Sequence, residues 1–240
     1  MKTLTLALSL SILPLTFSVS AHVDAVVLMY HTITEHSTDM NTRPENFQQQ
    51  IDYLHANHFN VISSLDLVNA IKTKTSLPPK SVVITFDDGW ASQKNAMDKL
   101  IKYNYPATFA LVTEYQMYKN KTYLQKSDFD TYKNYPFTYV NHSHTHFTKD
   151  FLGKPDYDVS ISKAQMIKNT GQFVPVYIYP YGLKTPKLLK AIKNNGYQAG
   201  FGVGAGTINV NTVNIFNINR YLINDKVSLA QFEAIVNKTI

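Results

Sequence analysis

The chain carries two segments whose residue types and spacing could do hydrolytic chemistry. Ser81-Val82-Val83-Ile84-Thr85-Phe86 is an apolar run that ends in Asp87-Asp88-Gly89, and Tyr139-Val140-Asn141 runs into His142-Ser143-His144-Thr145-His146. Successive strand residues point to opposite sides, and a turn into Gly89 can re-aim both carboxylates into one pocket. His142 and His146 are four residues apart, which puts both imidazoles on one side of a helical turn, close enough to share a metal ion. His144 falls out of phase and reads as an outlying or solvent-facing histidine. One carboxylate and two histidines form the three-ligand set of a catalytic zinc, with a position open for water or substrate. The other carboxylate then has a use. Water on such a metal has its pKa lowered from about 15.7 towards about 7, and an ionised Asp beside it can take the proton. The bland readings are an Asp-Asp-Gly turn whose second acid caps the next helix, and an accidental polar turn for the histidines.

Both segments follow apolar runs, and such runs alternate with helical periodicity along the chain, the mark of a parallel sheet with helical crossovers. The strand candidates are Ala25 to Tyr30, Phe59 to Ile62, Ser81 to Phe86, Ala107 to Val112, Phe137 to Val140, Val176 to Tyr179, Gln198 to Val203 and Ile215 to Ile218. Helical stretches begin behind Pro44 and recur over Leu65 to Ile71, Ser92 to Tyr103, Val159 to Asn169, Pro186 to Asn195 and Leu229 to Asn237, with Gly196 as a helix stop. Seven or eight such units favour an α/β barrel, closed or distorted, over an open sheet, with chemistry at the carboxyl ends of the strands; the distorted (β/α)7-8 form rests partly on the family resemblance that the motifs carry.

Composition bounds the rest. The 240 residues, 44% hydrophobic and 17% charged, show no linker, charge block or repeat at which to cut them, so one domain is expected over residues 22–240. Residues 1–21 read as a signal peptide: Met1-Lys2, an apolar stretch, then Val19-Ser20-Ala21 as a small-x-small cleavage site. Export to the periplasm or the exterior follows, with an uncleaved anchor as the alternative. No later segment approaches the roughly 18 apolar residues of a spanning helix. A formal charge of +6 suits an acidic polymer or envelope surface. The lysines are scattered without a basic run or a nucleic-acid motif. Cysteine is absent, so stability must come from the core, for which 16 tyrosines and 13 phenylalanines are plentiful. Some of those tyrosines suit a carbohydrate groove.

Thr85-Phe86-Asp87-Asp88-Gly89, His142-Ser143-x-x-His146 and Tyr179-Pro180-Tyr181-Gly182, in this order, resemble the first three motifs of the polysaccharide deacetylases, carbohydrate esterase family four. Met29-Tyr30-His31 and Phe47-x-x-x-Ile51-x-x-Leu54 resemble the branch that deacetylates poly-β-1,6-N-acetylglucosamine. The resemblance implies an N-acetylated polysaccharide or oligosaccharide as substrate and acetate as product; a monomer is expected. It implies Asp87 as general base and Asp88, His142 and His146 as ligands of one divalent metal, zinc first, with cobalt or nickel acceptable to the same donors. It also implies a backbone N–H of Tyr181 for the oxyanion. Most of the family places its acid on a late histidine, yet none follows His146. His31, at the end of the first strand candidate, takes that part in the branch resembled here, and an imidazole pKa near 6.5 suits it.

The chain departs from the family in two places. Tyr177-Ile178-Tyr179 lacks the arginine that often pairs with the catalytic Asp, and Arg220 is expected to reach Asp87 instead. The later tryptophan is missing as well, and Trp90, the only one here, either stacks on a sugar or packs at the barrel mouth. A binding-only carbohydrate barrel, and the same machinery acting on peptidoglycan, an O-acetyl ester or a small amide, are the competing functions.

Overall fold

The computed structural model describes residues 22–36, 38–118, 121–146 and 154–239; the leader expected over 1–21 lies outside them. The strands are β1 (Ala25–Tyr30), β2 (Thr32–Ile33), β3 (Asn41–Thr42), β4 (Asn60–Val61), β5 (Ser81–Phe86), β6 (Ala107–Leu111), β7 (Phe137–Asn141), β8 (Val176–Ile178), β9 (Ala199–Phe201), β10 (Thr207–Ile208) and β11 (Tyr221–Leu222). The helices are α1 (Pro44–Ala56), α2 (Ser64–Thr73), α3 (Lys94–Ile101), α4 (Lys126–Tyr132), α5 (Pro155–Thr170), α6 (Pro186–Asn194) and α7 (Leu229–Val236).

Every residue of β1 and of β5 is buried. Strands covered on both faces read as unbroken apolar runs, which is why these two are visible in the sequence. They pair in parallel from Ala25–Ser81 to Tyr30–Phe86, and the Asp87 N–H continues the ladder by donating to the Tyr30 carbonyl at 2.9 Å. That register sets His31 beside Asp87. From β5 the sheet runs in parallel through β6, β7, β8 and β9. Residues 218–222 return it to the start: Ile218 bridges Phe201, and Tyr221–Leu222 pair in parallel with Leu28–Met29 of β1. The result is a distorted (β/α) barrel.

The distortion has a visible cause. One edge of β5 is divided between β4, at Ser81 and Val82, and β6, at Thr85 and Phe86. One edge of β1 is likewise divided between antiparallel β10, at Ala25 and Val26, and β11 further along.

Alternation along the strands separates two cores. Val26, Leu28 and Tyr30 with Val82, Ile84 and Phe86 pack beneath Phe47, Ile51, Met97 and Phe232 of α1, α3 and α7. Ala25, Val27, Val83, Ala110, Val140, Ile178, Phe201 and Ile218, one or two from each stave, meet inside the barrel with Leu67, Val68 and Ile71 of α2. Two residues per step along that inner face lead to His31, Asp87, His142 and Arg220 at the carboxyl-end mouth.

Helix starts follow their local chemistry. Pro44 and Pro186 open α1 and α6, Thr185 caps α6, and Ser63 and Ser228 form capping boxes for α2 and α7. Among the described residues, no helix is long and apolar enough to cross a membrane. One strand expectation needs correction. Ile215 to Ile218 is not a strand; only Ile218 bridges, and pairing resumes at Tyr221–Leu222. Helix α4 has no counterpart in the sequence reading, since its seven residues offer only Phe129 and Tyr132 to the core.

Closure is tight at Gly206. A Cβ there would lie 2.5 Å from the Val27 carbonyl oxygen and 2.7 Å from the Tyr221 nitrogen. Gly206→Ala is expected to cost about 1–3 kcal/mol by overpacking the join between β1 and β11, measured by urea denaturation. Unchanged stability would contradict this closure.

Candidate active site and metal centre

The turn after β5 splits the two carboxylates. Asp88 and Gly89 both sit at φ 73°, the left-handed region that non-glycine residues enter at a cost. A Cβ on Gly89 would come within 2.9 Å of Leu111 Cδ2, so the second position needs glycine for space as well as for angle. The turn swings Asp88 towards the mouth, which Asp87 already faces by strand alternation. Asp87 Oδ2 and Asp88 Oδ1 stand 3.9 Å and 3.5 Å from His142 Nε2.

The two histidines converge by a different route from the helical turn expected for them. Residues 142–146 form an irregular loop with Ser143 at φ 69° and His146 at φ 56°. The loop is held from three sides. Ser143 N–H donates to Asn141 Oδ1 at 2.7 Å, and His142 N–H donates to the Leu111 carbonyl at 3.0 Å. Asp158, in the first turn of α5 and fully buried, accepts from His144 N–H at 3.0 Å, Thr145 N–H at 3.2 Å and Thr145 Oγ1 at 3.1 Å. Burial nevertheless pushes the Asp158 carboxyl above its usual range. His144 is not among the converging donors; its Nδ1 meets Thr113 Oγ1 at 3.0 Å.

Asp88, His142 and His146 each offer a ligand atom, all within 4.8 Å of one another. His142 Nδ1 lies 2.9 Å from the Ile178 carbonyl, which can only accept; Nδ1 therefore carries the proton and Nε2 faces the centre. Asp88 Oδ2 accepts the Trp90 indole N–H at 2.9 Å, which fixes the carboxylate plane and leaves Oδ1 inward. That Oδ1 is buried without a hydrogen bond, although it stands 3.2 Å from His146 Nε2 and 3.5 Å from His142 Nε2. An orphaned carboxylate oxygen converging with two imidazole nitrogens fits a divalent cation. Burial would raise the Asp88 carboxyl, but His142 and His146 hold it far below the usual range. Burial would likewise lower His142, which Asp87 and Asp88 pull up; a cation displaces that proton on binding.

Asp87 has a different partner. Arg220, fully buried, donates from Nη1 and Nη2 to its two oxygens at 2.6 Å and 2.8 Å, from Nη1 also to Thr85 Oγ1 at 3.0 Å, and from Nε to the Gly202 carbonyl at 2.9 Å. Burial pushes the Asp87 carboxyl up, but Arg220, then His142, bring it below the usual range. Gln93, absent from the sequence reading, donates to the Asp87 carbonyl at 2.6 Å and the His31 carbonyl at 3.1 Å, linking the ends of β5 and β1. His31 Nδ1 is buried without a partner. Burial lowers the His31 pKa against the pull of Asp87 and Asp88. Tyr181, at φ 55° in the turn after β8, is 69% exposed, and its ring centroid lies 4.5 Å from that of His146.

Comparison with known proteins identifies the scaffold. The polysaccharide deacetylase family model matches residues 74–200, a span of more than half the chain that holds both site loops and the Tyr181 turn. The chain belongs to the polysaccharide deacetylase family. His31 and Arg220 lie outside the matched span. The chain is similar to the poly-β-1,6-N-acetyl-D-glucosamine N-deacetylase of Staphylococcus epidermidis, 28% identical over 172 residues, 65% of this chain and 59% of that protein. It is also similar to the namesake enzyme of Staphylococcus aureus, 27% identical over 194 residues, 75% and 66% of the two chains. The chain thus spans 59% and 66% of the length of these curated relatives. Among solved structures, the Streptococcus pyogenes deacetylase PplD in complex with acetate superposes with TM-score 0.80 at 20% identity, covering 90% of this chain and 99% of that one. IcaB from Ammonifex degensii gives TM-score 0.78 at 20% identity, covering 89% and 97%. These family structures share the fold.

Arg220→Met would leave Asp87 buried and unpaired, a change expected to cost about 3–5 kcal/mol at neutral pH. The wild-type pair contributes stability above the ordinary carboxyl pKa near 4 and loses it as pH falls through the depressed native value. In the variant, protonation relieves the unpaired carboxylate, so the deficit should shrink on acidification. Urea denaturation at several pH values checks both signs; equal stability at neutral pH would contradict the pairing.

Proposed function

We propose that the chain is a metal-dependent hydrolase that removes N-acetyl groups from N-acetylglucosamine units of a polysaccharide, releasing acetate. The observation that carries this reading is the division of labour between adjacent carboxylates: Asp88 turned to His142 and His146, Asp87 paired with Arg220. Membership of the deacetylase family and the named activity of the staphylococcal relatives support the substrate class. The leader-like pattern of residues 1–21 supports action outside the cytoplasm, on an envelope or extracellular polymer.

A divalent cation held by Asp88, His142 and His146, zinc by donor type, would polarise the acetamide carbonyl and acidify a water. Asp87 takes a proton from the attacking water. Its ionised form is secured by Arg220, which also fixes the carboxylate orientation. Tyr181 N–H donates to the carbonyl oxygen as negative charge develops there. His31 gives its proton to the departing nitrogen as the carbon–nitrogen bond breaks, so the products are acetate and a glucosamine unit. Retention of the whole Asp87, Asp88, His142 and His146 set favours turnover over a binding-only barrel.

Acetate release from N-acetylglucosamine oligomers should require added zinc and cease with chelator. Asp87→Asn should lower the rate about 10²–10⁴-fold, the usual worth of a general base. Full release in chelator, or by Asp87→Asn, would overturn the assignment.

A further inference from the structure

An aromatic run leaves the candidate metal centre in one direction. The His146 ring lies 6.4 Å from Tyr115, Tyr115 stacks on Tyr123 at 4.5 Å and 25°, and Tyr123 meets Trp90 at 4.9 Å. Tyr118 extends the run from Tyr115 at 6.4 Å and 26°, and is 48% exposed. The run is held in place rather than loosely collapsed. The Trp90 indole N–H is fixed on Asp88, the Trp90 and Tyr123 backbones bridge, and Leu124 N–H donates to the Gly89 carbonyl at 2.8 Å.

Beyond Tyr123 the run opens into a cleft of about 490 Å³ lined by Lys94, Lys121, Tyr123, Gln125 and Asp128. Its polar groups are pre-set: Lys94 pairs with Asp128 at 3.1 Å, and Gln125 N–H donates to Asp128 at 2.8 Å. Partly exposed rings with polar tips, leading from a reaction centre into a small cleft that mixes amine, amide and carboxylate groups, suit a hydroxyl-rich ring with apolar faces.

We propose that Tyr115, Tyr118, Tyr123 and the adjoining cleft form a subsite for a further sugar ring of the polymer, away from the unit that loses its acetyl group. The identity of the ligand rests on the deacetylase reading; the subsite does not depend on turnover. The enzyme is therefore selective for oligosaccharides over the single sugar.

Trp90, the sole tryptophan, supplies a readout independent of catalysis. The zinc-loaded chain is titrated with β-1,6-linked N-acetylglucosamine pentamer and, separately, with the monosaccharide, while tryptophan fluorescence and acetate release are followed. Saturable change with the pentamer at concentrations where the monosaccharide gives none is expected. Tyr118→Ala, at an exposed position, and Tyr123→Leu should each weaken pentamer binding about fivefold to tenfold and raise its KM, and Tyr118→Ala should leave kcat unchanged. Circular dichroism checks that both variants are folded. Binding weakened by the variants without acetate release would sustain the subsite and refute the deacetylase reading. Acetate release with no fluorescence change, no length preference and no effect of either variant would overturn the subsite alone. Absence of both binding and release would overturn both.

Discussion

Two neighbouring carboxylates at the mouth of a barrel cannot serve two roles unless something makes them different, and the buried pair between Asp87 and Arg220 does so. Transfer of either charge alone out of water is costly, and only a partner with good geometry offsets it. The guanidinium meets both Asp87 oxygens, and its remaining bonds go to Thr85 on β5 and to the Gly202 carbonyl just past β9. Arg220 itself sits between Ile218, which bridges β9, and Tyr221, which pairs with β1. The pair thus forms only when the barrel is closed. The close fit of Gly206 against Val27 and Tyr221 belongs to the same join.

The rest of the centre is built around the carboxylate left without that arginine. Asp88 is held in a left-handed conformation, and Ser143 and His146 share that region. Residues of this kind cost about 1–3 kcal/mol each and persist where surrounding contacts over-determine them. Here those contacts are identifiable: Trp90 on Asp88 Oδ2, the Ile178 carbonyl on His142 Nδ1, and Asp158 on the backbone of His144 and Thr145. The first two each leave a donor atom of the candidate metal site facing inward while satisfying the group behind it, and the third holds the backbone of the loop between the two histidines.

Much of this was legible in the sequence, for unequal reasons. The long central strands were readable because both faces are buried. The Asp-Asp-Gly and His-x-x-x-His spacings pointed to one site because short-range geometry brings such groups together. The spacing of the histidines suggested a helical turn, whereas the loop gathers them through positive φ and a distant Asp158 that a local pattern cannot reveal. Arg220 could be nominated as the one arginine after the last strand candidate, but the two-residue β11 that positions it has half-buried side chains and no apolar run. The sequence allows Trp90 either to stack on a sugar or to pack at the barrel mouth. Its hydrogen bond to Asp88 and contact with Tyr123 depend on tertiary closeness that composition does not encode. The short α4 was hidden because seven residues carry too little periodicity to register.

In the proposed function Asp88 belongs to the cation and Asp87 to Arg220. Calorimetric titration of the metal-free chain with zinc, beside Asp88→Asn and Asp87→Asn, tests it most directly. One zinc bound by the wild type and by Asp87→Asn, and loss of that binding in Asp88→Asn, is the expected result. Retention of zinc by Asp88→Asn, or its loss only in Asp87→Asn, would contradict it.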